Sequence, residues 1–310
     1  MLNRLFYLLC LGAIGLAACQ GDVPPLTATA ASGTAGTATP TELPPTPLRQ
    51  HPTPGPTQTP PLDNNGCAQP VAVSPRNGQI TFGNITFTLD PALGDSLVAQ
   101  YCAALPASAG QAPGAAHPPY ASFVFPKLNG TTTDFPSELR VYTIAGDMSP
   151  YAFPLNSLDG LRAAVTQSPL PATWFDAAPL HSRQFYLHFN GGAGVRGVVQ
   201  YQPSPFFFTN NGVQYEFDGL SDDRQSAIVL RHPLAVPFLL DLTGPDPRTN
   251  VNPGAIPIPA WPSDPAQQRQ IIDAYNAEAL RRMDAMTDYQ VTPSLATLDA
   301  LVESLKITGP

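Results

Sequence analysis

Apolar and polar side chains alternate over several short stretches of this chain, a pattern that is typical of strands with one buried face. Residues 79–89 show it on both sides of Gly83-Asn84, a pair of residues that favours a tight hairpin. The other stretches that predict strands are residues 120–125, 138–144, 183–189, 195–201, 213–217 and 225–231. Because predicted helices do not alternate with these strands, the sequence favours a meander of antiparallel neighbours over a parallel sheet.

Other stretches place apolar residues three and four positions apart, which is the period of a helix. Residues 157–167 predict a helix in the middle of the chain, and residues 96–101 predict one short helical turn. Near the C-terminus, Asp264 and Pro265 form a helix start, and Pro293 begins a second helix. The expected fold class is therefore α+β: a mainly antiparallel meander sheet, one mid-chain helix, and two C-terminal amphipathic helices packed on the sheet.

Residues 1–18 have the three parts of an export signal. Arg4 supplies a positive charge, residues 5–18 carry no charged side chain, and small residues precede Cys19. The apolar run is 14 residues long. A helix needs about 20 residues to cross the hydrocarbon core of a membrane, so a cleaved signal peptide is favoured over a permanent span.

The end of this leader, Leu16-Ala17-Ala18-Cys19, resembles the lipobox of bacterial lipoproteins. The resemblance implies that the sulfur of Cys19 receives a diacylglyceryl group and that the leader is cut just before Cys19. Each buried methylene contributes about 0.8 kcal/mol, so two or more acyl chains would hold the protein firmly at a membrane. An ordinary secretory signal followed by an incidental cysteine is the alternative interpretation.

Composition divides the rest of the chain after residue 65. Residues 19–65 hold the anchor cysteine and a stretch that is rich in proline and threonine, with almost no large apolar side chain. Such a stretch buries too little surface to offset its ordering entropy, so the sequence predicts a disordered linker that lifts the domain off the membrane. A proline-rich docking site is the alternative. Residues 66–310 are long enough for a single globular α+β domain.

The four cysteines bear on the redox state of the domain. Cys10 leaves with the leader and Cys19 is the expected lipid site, which leaves Cys67 and Cys102 as a pair. Outside the cytoplasm, a single pair of this kind is more often a disulfide than a metal site. A bridge across 35 residues would stabilise the domain by about 3–4 kcal/mol.

The chain is acidic, with 15 Lys plus Arg against 23 Asp plus Glu and a formal net charge of −8. It contains no run of basic residues to neutralise phosphates, which argues against a nucleic-acid partner. The same balance argues against direct electrostatic adhesion to anionic lipids. The lipid on Cys19 is therefore the expected contact with the membrane.

The sequence offers no motif from which a catalytic residue, a cofactor or a metal site is predicted. Neither G-x-S-x-G nor H-E-x-x-H occurs, and His188 falls on the polar face of its predicted strand. Residues 192–197 match G-x-G-x-x-G, but a strand follows them where a nucleotide site needs a helix. We therefore expect these glycines to form a hairpin turn.

Aromatic side chains are the sequence's one candidate for a binding surface. Tyr201, Phe207 and Tyr215 fall on neighbouring predicted strands, and they place aromatic rings on both faces of the sheet. If one face stays open, these rings would form a platform for a sugar, a peptide or a partner protein. The alternative is a sheet that is covered on both sides, in which the ring of Phe207 is buried.

The order of these elements resembles a group of bacterial lipoproteins to which no activity is assigned. The resemblance rests on residues 80–93, 194–201, 215–220 and 292–295. It implies one exported domain, and it carries over no catalytic residue, cofactor or ligand.

Together these features predict a lipid-anchored, extracytoplasmic protein of the cell envelope whose domain binds an extracellular ligand or another envelope protein. One alternative is an extracytoplasmic hydrolase with a dispersed catalytic site, in which His188 or His232 would meet a buried carboxylate and a serine. The other alternative is a purely structural envelope protein.

Overall fold

The computed structural model describes residues 66–106, 116–126, 137–144, 160, 178, 180–201, 206–244 and 246–308. Within these ranges the chain forms eleven β-strands and two α-helices. Neither of these helices is long and apolar enough to span a membrane. The lipobox, the linker and the mid-chain helix predicted over residues 157–167 lie outside the described residues, except for Gly160, which is helical.

The strands are short at the start of the domain and longest in its centre. In chain order they are β1 (Val71–Val73), β2 (Gln79–Phe82), β3 (Ile85–Thr88), β4 (Leu97–Cys102), β5 (Tyr120–Val124), β6 (Glu138–Thr143), β7 (Leu180–Phe189), β8 (Gly192–Gln200), β9 (Gln214–Ser221), β10 (Ser226–Pro233) and β11 (Lys306–Ile307). Eight of them form one sheet in the order β1-β4-β5-β6-β10-β9-β8-β7, and three form a second sheet in the order β11-β3-β2. Neighbouring strands in both sheets are antiparallel.

The predicted fold class, a single meander sheet that carries three helices, is wrong. The described chain forms mostly antiparallel sheet in two separate sheets, with only two helices, so α+β is no more than a rough description. After β6 the chain begins again at the far edge with β7, and β10 then returns to pair with β6. Alternation of side chains shows which face of a strand is buried but not which strand lies beside it. The order of the strands in the large sheet could therefore not be predicted from the sequence pattern.

Residues 96–101, predicted as a helical turn, are a second correction, because all of them except Ser96 belong to β4. Leu97 and Ala99 are buried while Val98 between them is 40% exposed, which is the alternation of a strand. β4 pairs with β1 and β5, and its last residue, Cys102, is bonded to Cys67 in the predicted disulfide. The bridge therefore ties the first described residues of the domain to the large sheet.

The two C-terminal helices begin at capping residues. Asp264 caps α1 (Pro265–Ala285) by accepting a hydrogen bond from the backbone N–H of Ala266 at 3.1 Å. Ser294 caps α2 (Leu295–Glu303) through the N–H of Thr297 at 3.1 Å. The predicted apolar stripe of α1 is confirmed, because its buried residues are Ile272, Tyr275, Ala279 and Met283.

Both faces of the large sheet are buried. One face belongs to the main core, which includes the inward residues of α1 and α2 and the hairpin of β2 and β3. The other face belongs to a second cluster that contains Tyr142, Val195, Val199 and the disulfide. Consecutive residues of a central strand therefore point into two different interiors.

The glycines of the G-x-G-x-x-G match lie inside β8 and do not form the expected turn. Gly194 faces the main core, where a Cβ atom would collide with the backbone oxygen of Asp218 and the ring of Phe217. The glycine is therefore needed for close packing of an aromatic ring on the sheet, and the motif has a structural explanation.

Candidate functional site

A β-bulge interrupts the edge strand of the large sheet. Ser182 pairs with Val198 and Phe185 pairs with Arg196, so two residues of β7 oppose the single residue Gly197 of β8. One of the two, Arg183, has a positive φ of 53°. A left-handed conformation costs a residue with a side chain about 1–2 kcal/mol, and such local strain is found most often at functional sites.

A cavity of about 500 Å³ opens beside this bulge. It lies between the edge strand, the C-terminal end of α1 and the middle of α2, and we call it the charged cavity. The described residues that line it are Arg183, Gln184, Phe185, Arg196, Asp284, Asp288 and Asp299.

Arg196 is the most deeply buried residue of the charged cavity, with 3% of its surface exposed. Its Nη2 atom lies 3.3 Å from Oδ2 of Asp299 and 3.5 Å from Oδ1 of Asp288. Its Nη1 atom donates a hydrogen bond of 2.5 Å to the backbone oxygen of Arg183, within the bulge. The bulge and the two acidic side chains thus hold one guanidinium in a fixed position.

Asp299 connects the charged cavity to the main core. Its Oδ1 atom accepts a hydrogen bond of 2.9 Å from the hydroxyl of Tyr215, which is fully buried. Burial raises the pKa of Asp299, against the opposing effects of Arg196 and Tyr215. Burial, followed by the charge of Asp299, also raises the pKa of Tyr215 well above its ordinary value.

Asp284 and Asp288 lie at the C-terminal end of α1 and just beyond it. Asp288 forms ion pairs with Arg183 and Arg196, but Asp284 forms none with any residue that the structure describes. Asp284 instead accepts a hydrogen bond of 2.5 Å from Oγ of Ser182. The negative end of a helix dipole disfavours carboxylates, so these positions do not stabilise the helix.

Two polar atoms at the wall of the charged cavity are buried without a hydrogen-bond partner in the described structure. They are Nε of Arg196, a donor, and Oε1 of Gln184, an acceptor. Buried polar atoms are normally paired, because an unpaired one costs about 1–3 kcal/mol. Two residues that line the charged cavity therefore each carry one buried polar atom without a partner among the described residues.

Phe185 forms the apolar part of the cavity wall. The residue is 54% exposed, although Leu187 and Phe189 on the same face of β7 are buried. The guanidinium carbon of Arg196 lies 5.3 Å from the centroid of the Phe185 ring, so the ring has a fixed neighbour on one side. An exposed aromatic ring thus adjoins a cluster of carboxylates and guanidiniums.

The three residues of the predicted aromatic platform lie in three different environments. Phe207 is 6% exposed and packs against Trp261 and Tyr275, with ring centroids 5.6 Å and 5.1 Å away. Tyr215 is buried beneath the charged cavity, and only Tyr201 is partly exposed. An open platform needed an accessible Phe207 ring, so these side chains do not form one exposed surface.

A second group of charged side chains, the Glu216 cluster, lies on the opposite face of the large sheet. Glu216 is 2% exposed, and its carboxylate accepts hydrogen bonds from Arg231 at 3.0 Å and from Gln214 at 3.3 Å. Burial, followed by the charges of Glu216 and Asp218, raises the pKa of Tyr201 in this cluster. Here β8, β9 and β10 pair in continuous register, without a bulge.

The histidines that the hydrolase interpretation needed are not joined to a carboxylate and a serine in the described part of the chain. His232 is fully buried, and its Nδ1 atom lies 2.8 Å from the backbone oxygen of Pro233. Burial lowers the pKa of His232 to about 4, so the side chain is neutral at pH 7. His188 is exposed and contacts the ring of Tyr186.

The sequence patterns did not predict the charged cavity, although two of its residues are charged residues at positions that should face the core. Arg196 lies two positions before Val198, so alternation places this arginine on the core face of its strand. Asp299 follows Leu295 by four positions and precedes Val302 by three, which places it within the inward stripe of α2. A charged residue at an inward position of an otherwise apolar pattern needs a buried partner or a function.

Comparison of the chain with protein-family models, with curated proteins and with solved structures found no match. The function is therefore argued from the site itself.

Proposed function

We propose that this protein is an exported lipoprotein, held at a membrane by acyl chains on Cys19, whose domain binds a small polar ligand in the charged cavity. The proposal places the domain outside the cytoplasm, at the cell envelope. The observation that carries the binding function is the cavity of about 500 Å³ whose wall includes the buried, incompletely paired guanidinium of Arg196.

The disulfide supports the extracytoplasmic location. Bridges such as that between Cys67 and Cys102 persist in oxidising compartments and are rare in the cytosol. The leader and the lipobox pattern point the same way, since they are what an exported and lipid-modified chain requires.

Several features of the charged cavity support a ligand site. Its volume falls within the range of small-molecule sites, which is roughly 300–1,000 Å³. It combines a strained bulge at Arg183 with a carboxyl group, that of Asp299, whose pKa is raised by burial. Shifted pKa values and strained backbone are enriched at functional sites, where catalysis or binding requires them.

Labelling with a radioactive fatty acid tests the anchor. We expect the wild-type protein to incorporate the label and to sediment with membranes, and we expect Cys19→Ala to do neither. The Cys10→Ala variant is the matched control, because Cys10 lies in the leader that is removed. Equal incorporation by the wild type and Cys19→Ala would exclude this anchor.

A thermal-shift screen of the full chain tests the binding function. The ligands are neutral sugars, amines, carboxylates and phosphates, and the protein is kept in a polyoxyethylene detergent that contains no sugar. We expect at least one class to raise the Tm of the wild type and of Phe206→Ala but not of Phe185→Ala. Phe206 is a matched control, since it is 52% exposed and does not line the charged cavity. If no class raises the Tm of the wild type, the binding function is excluded.

A hydrolase is the second proposed function, and the raised pKa of Asp299 is the observation that favours it. A carboxyl group with a raised pKa is better suited to act as a general acid than one with its ordinary pKa, and Asp284 supplies a second carboxyl group in the same cavity. Release of p-nitrophenol from p-nitrophenyl glycosides measures this activity. Turnover by the wild type that Asp299→Asn abolishes would favour an enzyme, and absence of turnover would exclude glycoside hydrolysis.

A further inference from the structure

We infer that the ligand of the charged cavity is a saccharide, whose ring stacks on Phe185 and whose hydroxyl groups bind the carboxylates and guanidiniums of the wall. This inference rests on the proposed binding function and names its ligand class.

The wall of the charged cavity supplies hydrogen-bond donors and acceptors side by side. Arg183 and Arg196 are donors only, and Asp284 and Asp288, when ionised, are acceptors only. A hydroxyl group donates one hydrogen bond and accepts others, so it can bridge a carboxylate and a guanidinium. A ligand with several hydroxyl groups thus matches this mixed wall.

Charge and hydrogen-bonding capacity argue against two other ligand classes. Among the described lining residues, three carboxylates against two guanidiniums leave the wall negative when all are ionised, which disfavours phosphates and carboxylates. An amine is attracted by that charge, but its ammonium has only donors and therefore leaves the donors of Arg183 and Arg196 without an acceptor. A neutral ligand with hydroxyl groups meets neither difficulty.

Asp284 is the strongest acceptor that is open to such a ligand. The residue is exposed and forms no ion pair with the described residues, and Ser182 provides its hydrogen bond. Hydrogen bonds from hydroxyl groups to carboxylates are short and roughly twice as strong as neutral ones. Two hydroxyl groups on adjacent carbons could therefore bind this carboxylate together.

Phe185 supplies the apolar contact that a sugar ring needs. One side of a pyranose ring carries mainly C–H groups, and these pack on the face of an aromatic ring. The ring of Phe185 is more than half exposed at the cavity and is positioned by the guanidinium of Arg196, 5.3 Å away. A preorganised ring loses little conformational entropy on binding. The volume of about 500 Å³ gives room for a mono- or disaccharide.

Isothermal titration calorimetry tests the inference on the full chain in the same sugar-free detergent. The probes are methyl glycosides of glucose, galactose, mannose and N-acetylglucosamine, together with maltose and cellobiose. Spermidine and inorganic phosphate represent the two disfavoured classes. We expect at least one saccharide to bind the wild type with a Kd of about 1 mM or tighter.

The variants locate the binding. Phe185→Ala and Asp284→Asn should each weaken saccharide binding at least tenfold, and Phe206→Ala should leave the Kd within twofold of the wild type. Phe185→Leu keeps an apolar side chain at the same position, and it replaces Phe185→Ala if that variant does not fold. It should also weaken binding, since it lacks a planar ring.

Every other outcome overturns the inference. If spermidine or phosphate binds in a Phe185-dependent manner and no saccharide binds, the ligand class is wrong but the binding function stands. Saccharide binding that is equal in all variants would place the site elsewhere. If no probe of any class binds, both the inference and the proposed function fail.

Discussion

The charged cavity and the Glu216 cluster both contact β9, through two consecutive residues that point to opposite faces of one sheet. On one face the hydroxyl group of Tyr215 donates a hydrogen bond to Asp299, and on the other face Glu216 accepts a hydrogen bond from Arg231. Both groups bury charge, yet the first adjoins an open cavity and a bulge, whereas the second lies between strands in continuous register.

The two clusters differ in how far their charged groups are buried, and this bears on the energetic cost of each. Burying an ion pair costs much desolvation energy, so such pairs contribute little net stability compared with apolar side chains of similar size. At the Glu216 cluster, Arg231 remains 40% exposed, which reduces that cost. At the charged cavity, Arg196 is nearly inaccessible, whereas Phe185, next to the bulge, is 54% exposed. The edge of the large sheet thus carries a preorganised polar site.

Substitution of Arg196 and of Arg231 should produce the largest difference in stability between the two clusters. Arg196→Met should lower the free energy of unfolding by about 3–5 kcal/mol, because it leaves Asp299 buried without a cation. Arg231→Met should cost less, about 1–3 kcal/mol, because its guanidinium is partly solvated. Urea unfolding measures both, and equal losses would contradict the contrast between the two clusters.

The disulfide belongs to the hydrophobic cluster on the face of the large sheet to which Glu216 points, and it extends the comparison to that face. Replacing Cys67 and Cys102 together by alanine should lower the free energy of unfolding by about 3–4 kcal/mol, because the unfolded chain regains freedom over 35 residues. Calorimetry measures this loss. Ligand affinity at the charged cavity should stay within twofold of the wild type, and a larger change would show that the two regions are coupled.

His232 provides a buried titratable group that has no ion pair in the described structure, in contrast to both clusters. Its pKa of about 4 in the folded protein lies below the value of about 6.5 in the unfolded chain. As the pH falls from about 6.5 to 4, the unfolded chain therefore takes up the proton first, and stability is lost. We expect this single group to account for about 3 kcal/mol of that loss.

Urea unfolding of the wild type and of His232→Gln at pH 7 and pH 4 measures the effect. The glutamine variant should lose about 3 kcal/mol less than the wild type over this interval. Other groups that titrate in the interval cancel in the comparison. An identical pH dependence for the two proteins would mean that His232 is not held neutral by burial.

The smallest expected change in stability concerns the two exposed phenylalanines. Phe185→Ala and Phe206→Ala should each alter the free energy of unfolding by less than about 0.5 kcal/mol, since both residues are more than half exposed. Thermal unfolding without ligand checks this. A loss above 2 kcal/mol for Phe185→Ala alone would make Phe185 a structural residue rather than a ligand contact.

Local patterns predicted much of the secondary structure. Gly83 takes a positive φ in the turn between β2 and β3, as its place in the hairpin pattern indicated, and Asp264 caps α1. Both features depend on a few neighbouring residues, which sequence patterns describe well. Residues 96–101 were mistaken for a helical turn, because the pairing of β4 with β1 and β5 decides their conformation.

The strand order and the charged cavity depend on contacts between distant residues. The cavity joins Arg183 and Arg196 of the sheet to Asp288 and Asp299, about a hundred positions further along the chain. No local pattern specifies such a meeting. The inward positions of Arg196 and Asp299 indicated only that each needs a partner, and the fold was required to show that they share one site.

Saturation-transfer difference NMR tests the central claim most directly, because it reports which ligand protons lie closest to the protein, and comparison of the variants shows whether Phe185 makes that contact. The aromatic protons of the full chain are saturated in the presence of the saccharide that binds most tightly. We expect the C–H protons on one side of the sugar ring to gain signal with the wild type and with Phe206→Ala, and to lose it with Phe185→Ala. Equal signals from all three proteins, or none from the wild type with any saccharide, would contradict a sugar site at the charged cavity.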